Sequence, residues 1–157
     1  MIRNELKREI VIEAPQDIVW STLTEPEQIA LWFSDAAEFE LRPDGSGSLT
    51  WKPGGRATSD LEETMVTPVR ILEVDPPRYF AFRWTHPVDE DPTPANSLLV
   101  EFTLTSEGDA TRLSVVESGF EEIDRDTAAT EAEGHESGWT AHLENLRRHV
   151  TEQLAPR

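Results

Sequence analysis

Apolar residues in the last third of the chain fall at Trp139, Leu143, Leu146, Val150 and Leu154, steps of four, three, four and four that make one stripe of an α-helix. A helix over Gly134–Leu154 rises about 1.5 Å per residue and so runs for about 31 Å. One long amphipathic helix needs a surface to lie on, and the rest of the pattern predicts a sheet. Ile10 and Ile12 alternate with Glu9, Val11 and Glu13, which predicts a half-buried first strand over about residues 4–13. Ala14-Pro15 ends that strand and opens a helix, because proline interrupts a ladder but suits a first helical turn. Ile18, Val19 and Leu23 share a helical face. Thr24-Glu25-Pro26 then stops this helix and starts a second, whose Ile29, Trp32 and Phe33 again share a face.

Strand-like runs follow. Ala37–Leu41 and Ser48–Trp51 are joined by the turn residues Pro43-Asp44-Gly45 and predict a hairpin. Lys52–Arg56 is another turn, without the glycine and lysine spacing of a phosphate-binding loop. Glu63–Val74 predicts a long strand in which Pro68 implies an edge position or a bulge. Phe80, Phe82 and Trp84 share one parity and point to one side of the sheet. His86–Ser97, rich in proline and acids, is a loop. Leu98, Val100, Phe102 and Leu104 alternate, Glu107-Gly108-Asp109 turns the chain, and Leu113, Val115 and Glu117 alternate on the return. Residues 120–133 carry many acids and little periodicity, a linker or short lead-in helix. The order is β, α-α, about six β, then a long α, an α+β arrangement of one domain over 1–157.

Composition narrows the function classes. There is no cysteine, which removes disulfides, thiol nucleophiles and thiolate metal sites. Thirty-one acidic against fourteen basic residues give a net charge of -17, which repels nucleic acid and anionic lipid surfaces. No long apolar run or signal-peptide core is present, so the expectation is a cytoplasmic protein without membrane insertion.

Several short motifs, taken in order, resemble a known family. They are Ile12-Glu13-Ala14-Pro15 followed by Val19-Trp20, then Leu23-Thr24-Glu25-Pro26 and Trp32-Phe33. Further along come Asp75-Pro76-Pro77 with Phe82-Arg83-Trp84, Glu117-Ser118-Gly119-Phe120, and Gly138-Trp139. Together they resemble the START-like helix-grip (SRPBCC) superfamily, in its bacterial branch related to the heat-shock protein 90 ATPase activator (AHSA-type) domain. The resemblance spans essentially the whole chain. It implies six to seven antiparallel strands curved around the C-terminal helix, with a mostly apolar cavity between them. Members bind lipids, polyketides or other hydrophobic molecules, a few are cyclases or dehydratases, and the namesake is a stress-related co-chaperone. Fold alone does not choose among these.

The candidate residues follow from parity. Phe80, Phe82, Trp84 and Phe102, with Trp139 of the helix, meet on the helix side of the sheet, where rings either fill a core or line a pocket. Glu117 has the parity of Leu113 and Val115, which turns a carboxylate inward; a bulge at Val115-Val116 would instead re-aim it to solvent. His135, His142 and His149 recur every seven residues. Seven residues span about 10.5 Å of helix axis, too far for one metal with bonds of about 2 Å, and Trp139 stands where a zinc-protease helix would place its second histidine. His142 is the one placed to reach a cavity, a ligand or Glu117. No metal or cofactor site, Ser-His-Asp set or dinucleotide fingerprint is expected. The expectation is a protein, monomer or homodimer, that binds a hydrophobic small molecule, lipid or polyketide-like, through Phe80, Phe82, Trp84, Phe102, Glu117, Trp139 and His142. The loops 86–97 and 54–60 would form the rim. The alternatives are a cyclase or hydratase-like enzyme using Glu117 and His142 as a proton-transfer pair, and a co-chaperone with a chaperone as partner.

Overall fold

The computed structural model describes residues 5–54, 63–85, 97–119 and 125–154. The elements run β1 (Glu5–Ile12), α1 (Gln16–Thr24), α2 (Pro26–Trp32), β2 (Ala36–Phe39), β3 (Ser46–Trp51), β4 (Met65–Asp75), β5 (Tyr79–Thr85), β6 (Ser97–Glu107), β7 (Ala110–Ser118) and α3 (Arg125–Leu154). The seven strands form one sheet in the order β1-β7-β6-β5-β4-β3-β2. Every neighbouring pair is antiparallel. The three helices and the inward face of this sheet contribute to a single apolar cluster, so the architecture is the α+β helix-grip arrangement that the element order implies. Among the described residues no helix is long and apolar enough to cross a membrane, and no three His, Asp or Glu side chains are grouped to hold a metal ion.

Alternation sets the inner face. Leu98, Val100, Phe102 and Leu104 of β6 and Leu113 and Val115 of β7 are buried, as are Phe80 and Phe82 of β5. Leu143, Leu146 and Val150 of α3 close the opposite side and are buried as their spacing demands. Burying one such side chain is worth about 1.5–3 kcal/mol, so this stripe alone fixes the helix on the sheet. Gly108 opens the β6–β7 turn with a φ of 65°, the left-handed geometry that a two-residue hairpin starting with glycine uses. At Gly47 a side-chain carbon would lie 1.9 Å from the Glu38 carbonyl oxygen, so glycine is what lets β2 and β3 approach and seat Phe39.

Three expectations change. Pro68 lies on a strand with neighbours on both sides, not at a sheet edge, and pairs with Ser48 of β3. The β4–β5 ladder begins only with Val69 opposite Trp84, so Pro68 sits where one flank of β4 has no ladder to interrupt. The strand's irregularity falls instead between Ile71 and Glu73. Next, the acidic stretch is no separate linker from residue 125 on: α3 is one helix of 30 residues. Alanine and glutamate in Thr127–Glu133 have high helix propensity and sustain the helix without an apolar stripe. Finally, β6 starts at Ser97, paired with Thr85, so the preceding loop is a residue shorter than the composition suggests. The rest of that loop, residues 86–96 with Asp89, Glu90 and Asp91, lies outside the described residues, as do residues 55–62 of the other rim loop and the His135 side chain.

On the outer face of the sheet Tyr79 donates a hydrogen bond to Glu101 at 2.5 Å. Burial, helped by that bond and by the charges of Glu101 and Glu73, pushes the Tyr79 phenol well above its ordinary value.

Candidate functional site

The site is built on Glu117. No bulge forms at Val115-Val116: β7 keeps unbroken register with β1 and with β6, so Glu117 pairs with Leu6 on one side and Val100 on the other. Strict alternation therefore turns its carboxylate inward, where it is 0 % exposed. Burying a carboxylate costs several kcal/mol unless hydrogen bonds replace its water. Two indoles supply them. Trp84 Nε1 donates to one carboxylate oxygen at 2.6 Å and Trp139 Nε1 donates to the other at 3.0 Å. One inward acid thus ties β5, β7 and α3 together.

Pinned at their N–H edges, the two indoles turn their faces to Phe33. Phe33 stacks on Trp139 at 5.3 Å with 8° between planes and on Trp84 at 5.7 Å with 27°. Trp51 meets the same ring edge-on at 5.4 Å, and His142 does so at 4.7 Å. Trp51 is also pinned, its Nε1 donating to the Phe33 carbonyl at 3.1 Å. Phe33 follows directly on α2, and its N–H donates to the Ile29 carbonyl at 2.9 Å. It is therefore held at the helix end by its backbone, while its ring is held by packing alone.

Beside this cluster lies a cavity lined by eleven apolar residues: Leu23, Ile29, Trp32 and Phe33 from the α1–α2 side, and Phe39, Leu49, Val69, Ile71, Phe80, Phe82 and Phe102 from the sheet. The space among these side chains totals about 330 Å³ when interstices open to solvent are included, of which about 20 Å³ admits the centre of a water molecule. A void of this size holds about one water, and an apolar lining gives water nothing to bond. None of the lining residues belongs to α3. This cavity thus lies under the two short helices, and Phe33, one of its lining residues, stacks on Trp139 of the C-terminal helix.

The seven residues singled out by parity separate into two groups. Phe80, Phe82 and Phe102 line the cavity and pack on one another, Phe80 against Phe102 at 6.2 Å and nearly parallel. Trp84, Trp139, Glu117 and His142 form the aromatic cluster next to it, with His142 edge-on to Trp139 at 6.2 Å as well as to Phe33. The carboxylate oxygens of Glu117 already accept two indole N–H groups, which suits orienting rings better than carrying protons. His149, on the same helix face, instead lies 3.2 Å from the Gln28 amide oxygen. Parity did not single out Phe33 or Trp51. Trp51 shares parity with buried Leu49 on β3, a signal present in the sequence; Phe33 shares the helical face of Ile29 and Trp32, a spacing that turns it inward without saying which rings it meets.

Comparison with known proteins agrees with this architecture. The sequence profile of the family described as Activator of Hsp90 ATPase homolog 1-like protein matches residues 13–151. No curated protein matches the chain by sequence. Among solved structures, protein MLL2253 from Mesorhizobium loti superposes with a TM-score of 0.75 at 20% identity, over 97% of this chain and 99% of that one. PFC0360w, an HSP90 activator from Plasmodium falciparum, gives a TM-score of 0.70 at 15% identity, over 95% and 97% of the two chains. DynU16, from the dynemicin biosynthetic locus, gives a TM-score of 0.69 at 20% identity over 95% of this chain, which spans 48% of DynU16. At these identities the likeness is one of fold.

Proposed function

We propose, from the premise that the chain belongs to the Activator of Hsp90 ATPase homolog 1-like protein family, that it binds an apolar small molecule, lipid-like or polyketide-like, between its sheet and its helices. The observation that carries this reading is the wholly apolar cavity beside a cluster of aromatic side chains. Ligand pockets are apolar with few, well-placed polar groups, and Phe33, which lines the cavity, also packs on the two indoles that hold buried Glu117. Its present volume, about 20 Å³ to a water centre, is too small for such a molecule, so binding requires the lining rings to turn aside. That DynU16 comes from a biosynthetic locus and has this fold is consistent with a small-molecule ligand.

Native mass spectrometry of the purified protein, with thermal unfolding in the presence of fatty acids and of aromatic polyketides, tests the proposal. A ligand at about 100 times its Kd adds about 2.7 kcal/mol of stability, a rise in Tm of several degrees for a domain of this size. Neither retained mass nor a shift in Tm with either class would remove it.

A further inference from the structure

We infer that the box formed by Trp51, Trp84, Trp139 and His142 is an aryl-binding subsite, and that Phe33 is its built-in occupant, a phenyl ring held where the ring of a ligand would sit. This rests on the binding reading above and narrows it to ligands that carry a flat aromatic ring.

The inference starts from which rings are fixed and which is not. Trp84 and Trp139 are each tied through their indole N–H to buried Glu117, at 2.6 and 3.0 Å. Trp51 is tied to the Phe33 carbonyl. These walls are held by directional bonds, at the expense of burying a carboxylate, and a core packed only for apolar burial has no use for such an anion. Walls fixed in this way keep their faces a set distance apart. Trp84 and Trp139 meet each other at 5.9 Å. Phe33 fills the slot that these two rings, Trp51 and His142 surround, offset-stacked 8° from parallel to Trp139 and 27° from Trp84, as a bound arene would be.

Phe33 can also leave the slot without breaking a hydrogen bond. Its N–H and carbonyl bonds, to Ile29 and Trp51, belong to the backbone and survive a rotation about the Cα–Cβ bond. An incoming aryl group restores to the walls the same stacked and edge-on contacts that the departing ring gives up. A saturated ring of equal size is thicker and has no π face, so it fits the slot poorly. The remainder of the ligand then lies in the adjoining apolar cavity, to which Phe33 itself contributes.

The test compares naphthol with decalol, its fully saturated counterpart, by calorimetric titration of the wild-type protein, Phe33→Leu and Phe33→Ala. The inference predicts that the wild type binds naphthol at least about ten-fold more tightly than decalol. It also predicts that removing the occupant tightens naphthol binding by about a further ten-fold, because the competing closed state is lost. Phe33→Leu retains enough volume to fold where Phe33→Ala does not. Equal affinity for the two probes, no gain in Phe33→Leu, or binding confined to the Phe33 variants would overturn the inference; the last outcome would mark an engineered void. If fatty acids bind the wild type while naphthol shows no preference, the subsite falls and the wider binding function stands. If no probe of any class binds the wild type, both fall.

Discussion

Glu117 and Glu101 sit on neighbouring strands of one sheet, one register step apart, and face opposite ways: Val100 pairs with Glu117, and Glu101 pairs with Val116. Both accept hydrogen bonds from aromatic side chains. Glu117, at 0 % exposure, takes two from indoles, whereas half-buried Glu101 takes one from the Tyr79 hydroxyl. The difference shows what burial does to the same chemistry. On the outer face water can replace a lost partner, so the bond tunes a neighbour's acidity. On the inner face the carboxylate accepts both indole N–H groups away from water and so joins two strands and a helix.

The contrast breaks most visibly at Trp139. Trp139→Ala removes a ring at 2 % exposure together with one of the two donors to Glu117, and is expected to cost about 3–5 kcal/mol in urea-induced unfolding. Glu117→Gln is the sharper and smaller test. An amide offers one acceptor oxygen and one donor group, so one indole N–H faces another donor, at a cost of about 1–3 kcal/mol by the same measurement. A loss as small as that of a surface variant would show that the inner acid is not what holds the indoles.

The outer member of the comparison should respond mainly in pH. Tyr79 is the only tyrosine, so tyrosinate absorbance reports it alone. Its pKa is raised by burial first and by Glu101 next. The folded protein should therefore hold the proton as pH rises past the ordinary tyrosine value of about 10. Because the raised group sits in the folded state, its contribution to stability is complete below that value and is lost as pH climbs through the folded pKa. Glu101→Gln removes the charge while leaving an acceptor for the hydroxyl. The titration should move down toward, without reaching, that of a free tyrosine, since burial persists; stability at neutral pH should fall by no more than about 0.5–1.5 kcal/mol. An unmoved titration would refute Glu101 as a cause.

Most of the sheet was legible from alternation, because a strand's two-residue period states which side each residue faces. Phe80, Phe82 and Phe102 are placed inward on that ground alone, and the helix stripe through Trp139 and Leu146 on the corresponding one. For Glu117 the adjacent valines leave parity and a bulge as alternatives, which only the unbroken register of β7 decides. The meeting of Phe33 with Trp51, Trp84 and Trp139 was not legible, since it joins α2, β3, β5 and α3 through tertiary packing that no local period encodes. The length of α3 was hidden for another reason. Its first turns lack an apolar face, and propensity without periodicity is a weak signal. Pro68 misled because a strand can be interior to a sheet while the ladder on one of its flanks begins only after the proline, here with Val69 opposite Trp84.

The position of β1 in the sheet also bears on how the chain reaches this structure. Among the described strands the first has one neighbour, β7, with Ile12 set against Thr111 and Glu5 against Ser118. During synthesis β1 leaves the ribosome first and waits for β7, the strand that completes its ladder, to be made. Closing a loop of that span is entropically costly and slow. Until then its row of backbone donors and acceptors is open to other chains. Lys7 and Glu9, placed among its exposed residues, put opposite charges on that waiting edge, where charge discourages pairing with a stranger.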